Sequence, residues 1–156
     1  MSAQRIEGKA PAHEFRRETT EQARLLREQG NPAKLDAVLV DSGDNGARVY
    51  AENQARTCES LWIQYTLHEL KQGSSQAAIE TKVMELNLDR GVHAIMVHMP
   101  LPEGVDEHHI KKLIDPDKEV EGVSPTNIGN VVHGISIRSP CTAAATLQLP
   151  QTHHIT

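Results

Sequence analysis

The chain has 156 residues, a net charge of −5 at pH 7 and only 3% aromatic residues. One domain is expected at this length, and the acidic balance disfavours a nucleic-acid-binding protein because no block of Lys and Arg is present to neutralise phosphates. The chain also contains neither an apolar signal-peptide segment nor a run of about 18 apolar residues, so we expect a cytoplasmic protein with a small-molecule partner and no membrane contact.

The first part of the chain predicts a helix followed by a strand. Residues 12–29 are charged, lack Gly and Pro and carry a few apolar positions, which is typical of an amphipathic helix that ends at Gly30. The short apolar run 36–40 predicts a buried strand. The polar and glycine-rich residues 41–46 follow this strand and predict a turn.

The same alternation of helix and strand continues through the middle of the chain. A second helix is predicted over 47–61 and a second strand over 63–67. Ser74-Ser75 offers an N-cap for a third helix that runs to about Leu86, and a third strand is predicted over 93–97. Strands that alternate with helices in this way indicate βαβ units. We therefore predict a single α/β domain with three layers, in which helices cover both faces of a parallel sheet.

The segment after the third strand is less regular. A short helix is predicted over 106–113, and the rest of the chain is expected to be rich in loops. We expect a domain over residues 1–142 and a free C-terminal tail over 143–156. Ligands of parallel sheets usually bind beyond the carboxyl ends of the strands, so a functional site is expected in the loops after Val40 and Val97.

Several common signatures of chemistry are missing from the sequence. No Gly-x-Gly-x-x-Gly and no Walker-type loop occurs, so these residues are not expected to bind a nicotinamide dinucleotide by themselves. His68-Glu69 begins a zincin-like pattern, but Gln72 stands where the second histidine would be needed. Cys58 and Cys141 form no Cys-x-x-Cys pair. We therefore predict no metal site and no disulfide framework.

Four segments carry the most specific signal. They are Tyr50-Ala51-Glu52-Asn53-Gln54, Val97-His98-Met99-Pro100-Leu101-Pro102, Pro116-Asp117-Lys118-Glu119-Val120-Glu121-Gly122 and Pro140-Cys141-Thr142. In order and spacing they resemble the methylenetetrahydrofolate dehydrogenase/cyclohydrolase family, and the resemblance covers nearly the whole chain. It implies a folate-binding catalytic domain whose substrate or carrier is a tetrahydrofolate derivative. The family's nicotinamide-binding Rossmann domain has no counterpart among these residues, so NAD(P) is not expected.

The resemblance also implies roles for individual residues around a folate cleft. In the family, the tyrosine that corresponds to Tyr50 stacks on the folate, and a lysine four residues later is the principal catalytic group. Here the lysine position is Gln54. An amide neither titrates nor carries charge, so the family's cyclohydrolase chemistry is not expected to proceed unchanged. Met99 and Pro100 are implied to line the same cleft.

Two further positions of the family pattern are altered. The family glutamine that orients the lysine is His98 here, which titrates near neutral pH and could take over proton transfer; alternatively, it only forms a hydrogen bond at a strand end. The family aspartate that grips the pterin is Glu121, which keeps the carboxylate with one more methylene. Glu119 is expected to be a structural or surface carboxylate, and Cys58 a buried packing residue rather than a reactive thiol. The polar character of the replacements favours repurposing over random decay.

Together, these expectations predict that the protein is a folate-dependent one-carbon enzyme. We predict that it transfers or releases the one-carbon unit of methylene- or methenyltetrahydrofolate without hydride transfer, with His98 and Gln54 as catalytic residues and a second small molecule as a possible acceptor. Two alternatives stay open: a non-catalytic folate-binding or regulatory subunit, and the catalytic half of a split dehydrogenase/cyclohydrolase. A homodimer or a separate partner subunit is compatible with these readings.

Overall fold

The computed structural model describes residues 6–41, 43, 45–135 and 138–153. This part of the chain forms six helices and three strands, and none of these helices is both long and apolar enough to cross a lipid bilayer. Ser42 and Asp44 of the predicted turn lie outside the described residues. In chain order the elements are α1 Lys9–Glu28, β1 Lys34–Val40, α2 Asn45–Ser60, β2 Gln64–Leu70, α3 Gln76–Leu88, β3 Ala94–Val97, α4 Glu107–Leu113, α5 Pro125–Val132 and α6 Cys141–Thr152.

The three strands form one parallel sheet in the order β2-β1-β3. In the register of this sheet, Leu35 lies between Tyr65 of β2 and Ala94 of β3. The chain leaves the central strand on one side, through α2 to β2, and returns through α3 to the other side. The predicted single α/β domain with a parallel sheet is confirmed. Its strand order reverses beside β1, which is where open parallel sheets usually bind ligands.

Successive side chains of β1 point to opposite faces of the sheet, so the strand contributes buried residues on both faces. Val38 packs on one face with Ile79 and Val83 of α3, in a core that is entirely aliphatic. Ala37 points to the opposite face, which α2 covers. Cys58 of α2 is buried there, and burial raises the pKa of its thiol. A buried thiol with a raised pKa is unreactive, so Cys58 acts as a packing residue, as predicted.

Three helices begin at a side-chain cap. The oxygen atoms of Ser75, Asp106 and Ser124 each accept a hydrogen bond from the backbone N–H three residues later. A cap of this kind stabilises a helix by about 1 kcal/mol, and it explains why α3 and the short α4 begin where the sequence predicts. Strand β2 extends to Leu70, beyond the predicted 63–67, because it pairs with β1 along its whole length.

The last part of the described chain is helical, which corrects the expectation of a loop-rich end and a free tail. Helix α6 lies beside α1, and the two helices line a cleft of about 820 Å³. The backbone N–H of Glu7 donates to Nε2 of His153 over 3.3 Å, and Nδ1 of the same ring lies 2.9 Å from the carbonyl oxygen of Leu149. Residues 154–156 lie outside the described part, and the division at residue 142 stays a prediction.

Candidate functional site

A cleft of about 420 Å³ opens beside the carboxyl ends of β1 and β3. Both loops that the sequence singled out contribute to this region of the molecule. The structure brings five of the six predicted site residues to the wall of this cleft, together with Met96 and the first turn of α2. Gln54 is not part of this wall. The five residues are Tyr50, His98, Met99, Pro100 and Glu121.

Tyr50 and His98 meet on one side of the cleft. Tyr50 lies on the second turn of α2 and is 56% exposed, so a face of its ring is open to a ligand. His98 directly follows β3 and is fixed there because its backbone N–H donates to the carbonyl oxygen of Val38 over 2.8 Å. The two ring centroids are 5.7 Å apart with an interplanar angle of 75°, which is an edge-to-face contact.

The imidazole of His98 is almost completely enclosed. Its exposed fraction is 3%, so a ligand in the cleft can reach only an edge of the ring. Burial lowers the pKa of His98, because the charged form loses solvation, and the ring is therefore neutral at neutral pH. A neutral imidazole can accept a proton through one nitrogen. The proton-transfer role of His98 stays a prediction.

Tyr65 is a contact of this site that sequence reasoning missed. Its hydroxyl lies 3.5 Å from Nε2 of His98, although Tyr65 belongs to β2 at the edge of the sheet. Burial, with smaller contributions from Cys58 and Tyr50, raises the pKa of Tyr65 to about 12. No motif marks this residue. The available signal was strand alternation, which places Tyr65 on the same sheet face as Ala37 and hence under α2.

Gln54 lies one helical turn after Tyr50, but its side chain turns towards the sheet. Its Nε2 lies 2.9 Å from Sδ of Met96, and its Oε1 is buried without a hydrogen-bond partner in the described part of the chain. A buried acceptor without a donor costs about 1–3 kcal/mol, so this amide is poorly satisfied where it lies. To contact a ligand, the amide must leave Met96 and turn towards the cleft.

Glu119 organises the loop that leads to α5. Its carboxylate accepts hydrogen bonds from the backbone N–H groups of residues 121–124 and, over 2.9 Å, from Nδ2 of Asn127. Burial alone would raise the pKa of Glu119, but these hydrogen bonds outweigh it and hold the pKa below its ordinary value. Glu119 is therefore ionised at neutral pH, and the structural role predicted for it is confirmed.

Glu121 lies at the start of the loop whose backbone N–H groups bind Glu119, and it lines the cleft. Its pKa shifts in the opposite direction to that of His98. Burial, helped by the nearby charge of Glu119, raises the pKa of Glu121, while Lys111 opposes this shift. The next residue, Gly122, has φ +70°, and a Cβ there would lie 2.5 Å from the backbone carbonyl of Ser139. Only glycine therefore allows the loop to pass so close to the segment before α6.

A second polar cluster lies on the other face of the sheet, away from the cleft. The buried carboxylate of Asp36 has Nε2 of His68 at 2.6 Å and Nζ of Lys34 at 3.1 Å. His68 of the incomplete zincin-like pattern is thus held by a buried carboxylate. Over the described ranges, no group of three or more His, Cys, Asp or Glu side chains is arranged to hold a metal ion.

Comparison with known proteins places this geometry in a family. The family described as "Tetrahydrofolate dehydrogenase/cyclohydrolase, catalytic domain" matches residues 6–121, a range that includes every predicted site residue. The bifunctional protein FolD of Moorella thermoacetica is 38% identical over 142 residues, which cover 91% of this chain and 50% of that protein. The chain spans about half the length of the curated relatives it matches.

Solved structures agree with the sequence match. The bifunctional FolD methylenetetrahydrofolate dehydrogenase/cyclohydrolase of Campylobacter jejuni has a TM-score of 0.91 and 27% identity, over 96% of this chain and 53% of that one. The Trypanosoma brucei FolD, solved with NADP cofactor and an inhibitor, has a TM-score of 0.88 and 26% identity, over 99% of this chain and 54% of that one. The chain therefore belongs to the tetrahydrofolate dehydrogenase/cyclohydrolase family and carries the fold of its catalytic domain.

Proposed function

We propose that this chain binds a reduced folate in the cleft beside β1 and β3 and transfers or releases the folate's one-carbon unit without hydride transfer. The observation that carries the proposal is the meeting of Tyr50, His98 and Glu121 on one cleft. An open aromatic face, a neutral imidazole and a carboxylate are three groups with different chemistry, and each has a use on a folate. Family membership supports the substrate class.

Binding is assigned to Tyr50 and Glu121. The exposed ring of Tyr50 offers a stacking surface for the planar part of the ligand. The carboxylate of Glu121 can accept two hydrogen bonds from the aminopyrimidinone edge of a pterin, which makes it the recognition group. Met99 and Pro100 complete the apolar wall. The hydrogen bonds to Glu119 fix the loop that presents Glu121, so the carboxylate is positioned before the ligand arrives.

Proton transfer is assigned to His98. Transfer of carbon from an iminium-type folate requires a nucleophile that loses a proton near neutral pH, and the neutral ring of His98 can accept that proton. Gln54 remains the proposed second catalytic residue, which holds the substrate by hydrogen bonds after its amide leaves Met96. Its buried and unsatisfied Oε1 supports such a rearrangement, because a donor on the ligand would satisfy it.

The absence of a glycine-rich phosphate loop from the sequence supports the proposal that these residues bind no nicotinamide dinucleotide. The alternative function is the catalytic half of a split dehydrogenase/cyclohydrolase, in which a separate chain supplies the cofactor. It is favoured by the matched solved structures, which are named as methylenetetrahydrofolate dehydrogenase/cyclohydrolases. A non-catalytic folate-binding subunit is the other alternative.

The experiment that separates these functions follows an isotopically labelled one-carbon unit on methylenetetrahydrofolate, with and without NADP. We expect the purified chain to accelerate loss or transfer of the label equally in both conditions. A requirement for NADP would favour the dehydrogenase alternative and contradict the proposal. No acceleration with water or a panel of small amines and thiols, together with saturable folate binding, would contradict the proposal and favour either the non-catalytic subunit or a split enzyme that needs its cofactor chain.

A further inference from the structure

The imidazole of His98 lies between two tyrosines that belong to different elements. Tyr50 of α2 contacts its ring edge-to-face, and the hydroxyl of Tyr65 of β2 lies 3.5 Å from Nε2. Tyr50 lines the candidate cleft, whereas Tyr65 lines a separate cleft beside Trp62. A folate in the candidate cleft would therefore meet His98 and Tyr50, with Tyr65 behind them.

The two ring nitrogens of His98 differ in their surroundings. Nε2 has the hydroxyl of Tyr65, while the described part of the chain provides no hydrogen-bond partner for Nδ1. A neutral imidazole carries a proton on one nitrogen and a lone pair on the other, and the hydrogen bond at one nitrogen determines which of the two carries the proton. A hydroxyl oxygen can accept from Nε2–H, and this arrangement leaves the lone pair on Nδ1.

We propose that Tyr65 is the positioning residue of His98: its hydroxyl oxygen accepts a hydrogen bond from Nε2–H and so keeps the lone pair on Nδ1, the nitrogen that has no hydrogen-bond partner in the described part of the chain. The inference rests on the proposed function for its catalytic meaning, although the geometry can be tested without a folate. In the reaction, Nδ1 takes the proton of the incoming nucleophile as the new bond to the one-carbon unit forms. Nε2–H stays bonded to Tyr65, and Nδ1 later returns the proton to the departing folate nitrogen.

A phenol suits this position better than a carboxylate would. A carboxylate beside a histidine stabilises the imidazolium and raises its pKa, whereas a neutral hydroxyl orients the ring without adding charge. Tyr65 stays protonated because burial raises its pKa to about 12. The other titratable groups near the pair are Tyr50 of α2, Cys58 on the same helix, and Glu121 across the cleft with Lys111 beside it.

The test is nitrogen NMR of the full chain with labelled histidine, in which the His98 signals are assigned by their loss in His98→Gln. In the unsubstituted protein we expect the proton on Nε2, protected from solvent exchange. Tyr65→Phe removes only the hydroxyl, and we expect loss of that protection and a further decrease in the pKa of His98. Tyr50→Phe is the matched control: it keeps the ring edge, does not touch Nε2, and should preserve the protected proton.

A proton on Nδ1 in the unsubstituted protein would overturn the proposal, and so would an unchanged Nε2–H signal in Tyr65→Phe. If Tyr65→Phe does not fold, the state of the unsubstituted protein decides alone. Where one-carbon release is measurable, Tyr65→Phe should lower kcat by roughly tenfold and leave KM within about twofold, as expected for lost orientation. Failure of folate binding would remove the proposed function but leave the NMR result standing.

Discussion

His98 and Glu121 lie on the same cleft, and burial shifts both pKa values towards the neutral form of each group. The pKa of His98 is lowered and that of Glu121 is raised. The two residues nevertheless have different proposed tasks, proton transfer for His98 and pterin recognition for Glu121. Reciprocal effects of their substitution would separate the two tasks.

His98→Gln should lower turnover by about 10²–10⁴-fold and leave folate affinity within a small factor, because an amide cannot accept the proton. Glu121→Gln should chiefly weaken binding, because the neutral amide offers a single acceptor oxygen to the pterin edge. Steady-state kinetics and calorimetry on the two variants measure both effects. Full turnover in His98→Gln would contradict the assignment. A Gln54→Lys variant that regains cyclohydrolase activity, and keeps it when His98 is also replaced, would contradict it as well.

At the residue level, the sequence predicted which side chains meet but not how they are oriented. The family resemblance identified Tyr50, His98 and Glu121, and all three line one cleft. It also placed Gln54 in the site, whereas the amide turns to Met96. The direction of a side chain depends on packing between elements that are distant in sequence. The same limit explains why Tyr65, 33 residues from its partner, was missed.

At the level of elements, the loop between α4 and α5 depends on one glycine. Gly122 has φ +70°, and a Cβ there would come within 2.5 Å of the backbone of Ser139. Gly122→Ala should therefore destabilise the fold by well over the ~1 kcal/mol that the left-handed conformation alone costs. Gly104→Ala is the matched control, because Gly104 has φ +85° with nothing within 4 Å of its Cβ position. Equal losses in thermal unfolding of the two variants would contradict the steric account.

The carboxylate of Glu119 makes the stability of the same loop depend on pH. Because its folded pKa lies below the ordinary value, Glu119 contributes stability that is complete above the unfolded pKa and is lost as pH falls through the folded pKa. Glu119→Gln should lose about 2–3 kcal/mol at neutral pH, since one amide cannot accept from all these donors. Its unfolding free energy should also change less between pH 7 and acid than that of the unsubstituted chain. An identical pH slope in both proteins would contradict the network.

Helix α6 lies in a part of the chain that was expected to be rich in loops. Residues 143–145 carry the clearest local signal for a helix. Three alanines in a row have the highest helix propensity, and the structure continues them as a helix to Thr152. Local propensity was the better guide here. Strand boundaries were less predictable, because pairing with β1 determines how far β2 extends.

At the scale of the whole molecule, the periodic pattern of helices and strands was sufficient to predict the parallel sheet. It did not provide the order β2-β1-β3, because strand order depends on which crossovers pack on which face. That order places the reversal of connections beside β1. The cleft there is lined by the first turns of α2, by the end of β3 with the segment after it, and by Glu121. The topology places the cleft beside β1, and the proposed chemistry rests on the side chains that line it.

The central claim is that this cleft binds a reduced folate, and calorimetric titration with a stable formyltetrahydrofolate tests it most directly. The control variants are Tyr50→Ala, which removes the exposed stacking ring, and Phe15→Ala, which removes an exposed ring on α1 far from the cleft residues in the fold. We predict saturable binding to the unsubstituted chain and to Phe15→Ala, and affinity weakened by roughly 5- to 150-fold in Tyr50→Ala, since a stacked ring contributes roughly 1–3 kcal/mol. Absence of heat and of any thermal shift at millimolar ligand would contradict the claim.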